Sequence, residues 1–216
     1  MQLILGELLR PKVTDSSKAS TLKDFSIPTA DENRAVPVIW GTCLMDGANV
    51  IWYGDLRPTK LTKKVKSGLF SSTRLTIAFR YSLGMQLAFC HGPVDRLLEV
   101  QTADKIAYSG TDVGSSTSDD GHDFVVDART IYGGDSDEQL ESGGTGGIYA
   151  ACTFYKGTET QNASDYLSAL LETEIPAHRG TAYLMWKGPS SGNLVYNYDL
   201  GDPTIAFTRE PFLSGY

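Results

Sequence analysis

The sequence has little of what makes a site easy to read. Its three cysteines, Cys43, Cys90 and Cys152, are odd in number and widely spaced. That spacing fits neither a disulfide framework nor a metal-ligand pattern, so each is expected as a buried thiol. No run of 18 apolar residues occurs, which leaves no candidate for a membrane-spanning helix. The opening MQLILGELLRPKV puts an acid and a proline where a secretory leader keeps its apolar core. A soluble protein made in a cytoplasm is therefore expected. Helical patterning is scarce as well, and no strand-helix-strand repetition is visible, so a parallel sheet is not expected.

Positive charge is missing from the second part of the chain. Residues 1–80 hold 12 Lys and Arg against 7 Asp and Glu, whereas residues 81–216 hold 7 against 19. An acidic remainder of this size argues against general DNA binding, which needs cations across a whole face. Within the basic part the density peaks at Arg57, Lys60, Lys63, Lys64 and Lys66. These five are a candidate inter-subunit contact, set against the simpler reading of a lysine-guarded edge strand.

What is present is strand. Residues 1–35 read as an extended N-terminal arm. From Val36, the runs VPVIWGTC and NVIWYGD flank Asp46-Gly47 and predict a β-hairpin. Residues 74–90 alternate, with Leu83, Met85, Leu87 and Phe89 on one face, and Cys90 is expected on the other. Shorter strands are expected at LLEVQ, KIAYS, FVVDARTIYGG, IYAACTFYKG, TAYLMWK, NLVYNYD and TIAFTRE, with loop insertions around 109–147. The one convincing helix lies near 163–174, where Tyr166, Leu167, Leu170 and Leu171 form a stripe and Asn162 or Ser164 can cap the start. The expected fold is mainly β, a β-rich α+β arrangement with a single short helix.

Four groups of residues invite a chemical reading. Cys90-His91 supplies a thiol and an imidazole, but neighbours on a strand point to opposite faces, so adjacency is a poor geometry for a dyad. His122, read as lying in a loop, and His178 are the other bases available. Asp119, Asp120, Asp123, Asp135, Asp137 and Glu138 are acidic enough for calcium but lack the spacing of a calcium loop. Gly143, Gly144, Gly146 and Gly147 lack the Lys-Ser/Thr that a phosphate cradle requires. Trp40, Trp52, Tyr53 and Trp186 are read as core aromatics rather than a ligand cage. The residues alone thus assign no catalytic, cofactor-binding or metal-binding residue. A tail-associated hydrolase using Cys90 and a carbohydrate-binding module using the tryptophans stay open.

Several segments, in order, resemble the N-terminal region of tail-tip (baseplate) hub proteins of long-tailed bacteriophages and of gene transfer agents. They are VPVIWGTCLMDGANVIWYGDL, the strand closing on Cys-His-Gly-Pro and continuing to VQTADKIAY, IYGGDSDE, KGTETQNASDYLSALL and PAHRGTAYLMWKG, with TIAFTREP as a closing strand. Lys105 directly follows Asp104 where the family has a glycine, and His178 stands where it has a tyrosine. The resemblance spans residues 36–210, which it implies to be hub β-domain of barrel-like build, with 211–216 a C-terminal tail. It implies a structural virion protein with no enzymatic activity and no cofactor. Such a subunit forms a ring, usually a trimer, at the distal end of the tail tube, after assembly in the host cytoplasm. Its implied partners are a hexameric tail protein above, the tape-measure protein in the lumen, and a central fibre or further hub proteins below. DNA meets it only in transit. Hubs of this family are generally much longer, so the resemblance covers a first unit and is silent on receptor contact.

Overall fold

Ten strands and one helix carry the described part of the chain. They are β1 (Thr42–Leu44), β2 (Asn49–Lys66), β3 (Ser72–His91), β4 (Arg96–Thr102), β5 (Lys105–Ser109), β6 (His122–Ala128), β7 (Ile148–Tyr155), α1 (Asp165–Leu171), β8 (Thr181–Trp186), β9 (Tyr198–Asp199) and β10 (Pro211–Ser214). The structure, a computed structural model, describes Thr21 and residues 35–45, 48–66, 72–102, 105–116, 118–131, 147–191, 198–199 and 211–214. Most of the 1–35 arm, the Asp46-Gly47 turn, the acidic and glycine-rich stretch 132–146 and the TIAFTRE segment lie outside the described residues. Among the described residues, no helix is long and apolar enough to cross a membrane.

All strand pairs are antiparallel and fall into two sheets. The larger runs β2-β3-β8-β7-β6, with β9 beside Arg80 and Tyr81 of β3, and the smaller runs β1-β10-β4-β5. The fold is mainly β with one short helix, as the sequence predicts. Among the described residues neither sheet closes, however, so the barrel-like build is corrected: β2 and β6 are ends of an open path. The two sheets instead face each other, and one apolar cluster joins Leu83, Met85, Leu87 and Phe89 of β3 to Leu97 and Val100 of β4 and Phe154 of β7. At the rim, Tyr108 of β5 and Phe124 of β6 pack with ring centroids 4.7 Å apart.

The hairpin predicted across Asp46-Gly47 is also corrected. β1 pairs with β10 in the smaller sheet, whereas β2 pairs with β3 in the larger. The reason is length: β2 and β3 extend for 18 and 20 residues and satisfy each other's ladders, a pairing that three-residue β1 cannot offer. β10, in turn, falls in the stretch read as a tail.

β8 is central enough to be buried on both faces, which is why TAYLMW reads as a nearly continuous apolar run. Leu184 and Trp186 enter the inter-sheet core, while Tyr183 and Met185 meet Leu167 of α1 on the outer face. Ser164 caps α1 by accepting a hydrogen bond from the Leu167 N–H, and Glu172 ends it in the left-handed region at φ 51°. The helix is seven residues long, shorter than its pattern, because Leu171 turns out to be exposed and gives the last turn nothing to pack on.

Leu167 is the one fully buried residue of α1. Leu167→Ala should lower stability by about 2–4 kcal/mol, and Leu171→Ala by about 0.5 kcal/mol or less, in urea unfolding of the purified chain.

Candidate functional site

Cys90 and His91 end β3, and the structure sends them apart. The β3–β8 register steps from Ala88↔Tyr183 to Cys90↔Ala182, so Phe89 is the extra residue of a β-bulge. The bulge breaks the alternation and brings Cys90 into the same core cluster as Leu83, Met85, Leu87 and Phe89, not onto the opposite face. There burial, and secondarily neighbouring Cys43, pushes its thiol up to about 11. A thiol in that state is protonated and slow at neutral pH. His91 is exposed, and its backbone N–H donates to the Pro37 carbonyl at 2.8 Å. His122 stands in β6 rather than in the preceding loop, because its backbone pairs opposite Phe154. Its Nδ1 lies 3.2 Å from Ser116 Oγ, and burial, then Lys156, lowers its pKa. His178 packs edge-on against Tyr183, centroids 5.7 Å apart, with its pKa lowered by burial. Neither imidazole is placed as a base for Cys90.

What the Cys-His-Gly-Pro segment does form is a close crossing of backbones. A Cβ at Gly92 would lie 2.5 Å from both Gly157 Cα and the Lys156 carbonyl oxygen. Gly157, at φ 85°, would in turn meet Gly92 Cα and Ala182 N at 2.7 Å. Backbone bonds finish the crossing: Gly92 N–H donates to Gly180 O at 2.9 Å and Val94 N–H to Lys156 O at 3.0 Å. Beside it sits Gln161, only 2% exposed. Its Oε1 accepts the Gly157 N–H at 2.8 Å, and the two N–H groups of its Nε2 are shared among three carbonyls, of Ala177 at 2.9 Å, His178 at 2.7 Å and Thr181 at 3.2 Å. Three segments that carry the hub resemblance, at 90–93, 156–161 and 176–182, thus meet in one buried knot. Sequence reasoning missed Gln161, since a lone amide in a polar loop gives no periodic signal. The cluster of Gly157 and Gly180, both at positive φ, was the available hint.

A second polar node joins β2 to α1. β2 bulges between Gly54 and Arg57, and Asp55 sits there at φ 52°. Its carboxylate accepts hydrogen bonds from Tyr166 Oη at 2.7 Å, Ser190 N at 2.7 Å and Ser190 Oγ at 2.6 Å. Tyr166 also accepts the Gly188 N–H at 3.0 Å, and burial, then its bond to Asp55, raises its pKa. A cleft of about 450 Å³ opens beside this node, lined by Asp165, Tyr166, Ala169, Leu170, Lys187, Ser190 and Ser191. Three of its polar groups are engaged within the fold: Ser190 with Asp55, Ser191 Oγ with Gly188 O at 2.8 Å, and Lys187 with Asp123 at 2.9 Å. The arrangement singles out no ligand.

The acidic loop is likewise bound to its own fold. Asp119 accepts from the hydroxyls of Thr158 at 3.2 Å and Thr160 at 2.8 Å, and Asp120 from Asn162 Nδ2 at 2.7 Å. Partial burial raises the Asp123 pKa, but bonds from Thr153 and Lys187 outweigh this and hold it below the usual carboxylate range. Among the described residues no three His, Cys, Asp or Glu come together as metal ligands. Asp135, Asp137 and Glu138 lie outside the described residues, as do Gly143, Gly144 and Gly146. Gly147 packs on backbone, where a Cβ would lie 2.2 Å from the Arg129 carbonyl carbon.

Trp186 is buried in the core, Tyr53 packs against it, and Trp52 is half-buried, meeting Tyr166 in a T-shaped contact at 6.4 Å. Trp40 is 74% exposed, against expectation, because Ile39 takes the inward place and alternation turns Trp40 out. Of the five clustered cations, Arg57 and Lys60 are exposed on β2, while Lys63, Lys64 and Lys66 stand opposite Leu75, Arg74 and Ser72 in the ladder.

No family model matches this sequence, and no curated protein matches it. Among solved structures, a chain from the virion of a native gene transfer agent particle aligns with 98% of this chain at 19% identity and a TM-score of 0.38. The alignment covers 35% of that chain's own length.

Two measurements test this site. Gly92→Val must displace backbone that has nowhere to move, and should cost about 4 kcal/mol or more, whereas His91→Ala should stay within about 0.5 kcal/mol in the same urea titration. The second concerns pH. His178 is held below its ordinary pKa in the folded chain, so as pH drops below about 6.5 the unfolded state takes up a proton that the folded state resists. Stability is therefore complete above that pH and falls below it. His178→Asn, which tolerates the left-handed backbone at φ 49°, should flatten the decline between about pH 7 and pH 5.

Proposed function

We propose that this chain is a structural subunit of a virion tail tip, acting as the first unit of a baseplate hub. In this reading residues 36–210 form the hub β-domain and residues 1–35 an arm. Copies assemble as a ring, a trimer, at the distal end of the tail tube, below a hexameric tail protein and above fibre or further hub components. The tape-measure protein ends in its lumen, and the genome passes through it.

The observation that carries the reading is the ordered set of hub-like segments, three of which converge on the Gln161 knot. Segments that resemble a family and also pack on one another are expected when the resemblance reports a shared fold. The chemistry of the site supports a structural role. Cys90 is buried with a raised thiol pKa, and neither His122 nor His178 is placed to activate it. The tryptophans are not gathered into one platform for a sugar: Trp186 is core, Trp52 is half-buried against Tyr166, and Trp40 is exposed beside Val36 and Val38.

Electron microscopy of particles containing this chain tests the proposal. The expected density is a threefold ring of this fold at the distal end of the tail tube. Finding the chain on the capsid, or absent from purified particles, overturns it.

A further inference from the structure

Residues 113–116 close one rim of the inter-sheet core, and both sheets hold them. Val113 is 5% exposed and belongs to the apolar cluster. On the side of the smaller sheet, the Leu97 N–H donates to the Val113 carbonyl at 3.0 Å, and a Cβ at Gly114 would meet the Asp95 carbonyl oxygen at 2.6 Å. On the side of the larger sheet there are two ties. Lys156 Nζ donates to the Gly114 carbonyl at 3.0 Å, and His122 shares a hydrogen bond, through Nδ1, with Ser116 Oγ at 3.2 Å. His122 stands opposite Phe154 in the ladder, which sets its ring on the core-facing side of β6. Its Nε2 is buried there and has no hydrogen-bond partner. Whichever nitrogen carries the proton of the neutral ring, Nε2 goes unpaired. A second proton would make it a charged donor without an acceptor, and burial first and the Lys156 ammonium second oppose that. The other charged groups on the surrounding elements have roles of their own or lie on the loop's edge. Asp119 and Asp120 are held by Thr158, Thr160 and Asn162, Asp123 by Thr153 and Lys187, and Arg96 reaches the Thr111 carbonyl; Asp112 takes the Thr111 hydroxyl, and Asp95 precedes β4.

We propose that His122 is an acid-sensitive tie: on taking up a proton it lets residues 113–116 leave the larger sheet and open this rim of the core, while both sheets stay folded. Opened, the ring meets water and regains the ordinary proton affinity of a histidine, near pH 6.5. Closed, it resists the proton. The tie is therefore complete above about pH 6.5 and weakens as pH falls below it. What the opening uncovers is apolar, since Val113 and the side of the cluster it covers then face water. Two like charges, His122 and Lys156, then stand where one segment was held by both.

The test is hydrogen–deuterium exchange of the full-length chain at about pH 7 and about pH 5, with rates corrected for the intrinsic effect of pH. Exchange at residues 113–116 should be at least about threefold faster at the lower pH, with β7 and β8 protected at both. His122→Gln, which keeps a polar group beside Ser116 and cannot take a charge, should remove the difference. Should that variant misfold, the wild-type chain is titrated by NMR instead. The His122 ring should then titrate below its ordinary range, and the amides of residues 114–116 should shift with its midpoint and not with that of His178. Exchange at 113–116 that is the same at both pH values, that responds to acid equally in His122→Gln, or that rises only together with β7 and β8 overturns the proposal. Amides at 114–116 that follow His178 overturn it too.

Discussion

The side chain of Gln161 is the bond on which the outer layer of the fold depends. Its amide is removed from water and uses both ends: the oxygen holds the turn after β7, and the nitrogen reaches two carbonyls on the turn before β8 and that of Thr181, the first residue of β8. An unsatisfied buried polar group costs about 1–3 kcal/mol, so loss of this one side chain strands several groups at once. An apolar replacement of equal volume fills the space and satisfies none of them. The knot therefore fixes the path into α1 on one side and the entry of β8 on the other.

That constraint explains why glycine is needed where it is. With the 156–161 turn pinned from above, Gly157 is pressed onto Gly92, and backbone lies where any side chain would go. β3 ends there because its next residue must slip beneath another segment, and the bulge at Phe89 is the adjustment that aims the strand into the crossing. The same bulge turns Cys90 inward. A sulfur that the sequence offers as a nucleophile is thus, in the fold, a small apolar filler whose neighbours raise its pKa.

The parts legible in the sequence are those governed by local period. The alternation through Leu83, Met85, Leu87 and Phe89 and the capped stripe at Ser164–Leu170 give the strand and helix at the correct places. Whatever depends on partners distant in sequence was not legible. Asp46-Gly47 has the chemistry of a hairpin turn, yet β1 finds its partner in β10, at the other end of the chain. Trp40 has the composition of core, but one step of alternation gives the interior to Ile39. Asp119 and Asp120 look like ligands for a cation until Thr158, Thr160 and Asn162 are brought to them by the fold. Asp55 and Gln161, each of which ties together segments distant in sequence, belong to no pattern that spacing reveals.

A consequence follows for how resemblance and function relate in this molecule. The residues that resemble hub proteins at 90–93, 156–161 and 176–182 are spent on holding the fold, so they would be required by any protein of this build whatever it assembled with. Fold is therefore specified by the buried amide and the glycine crossing.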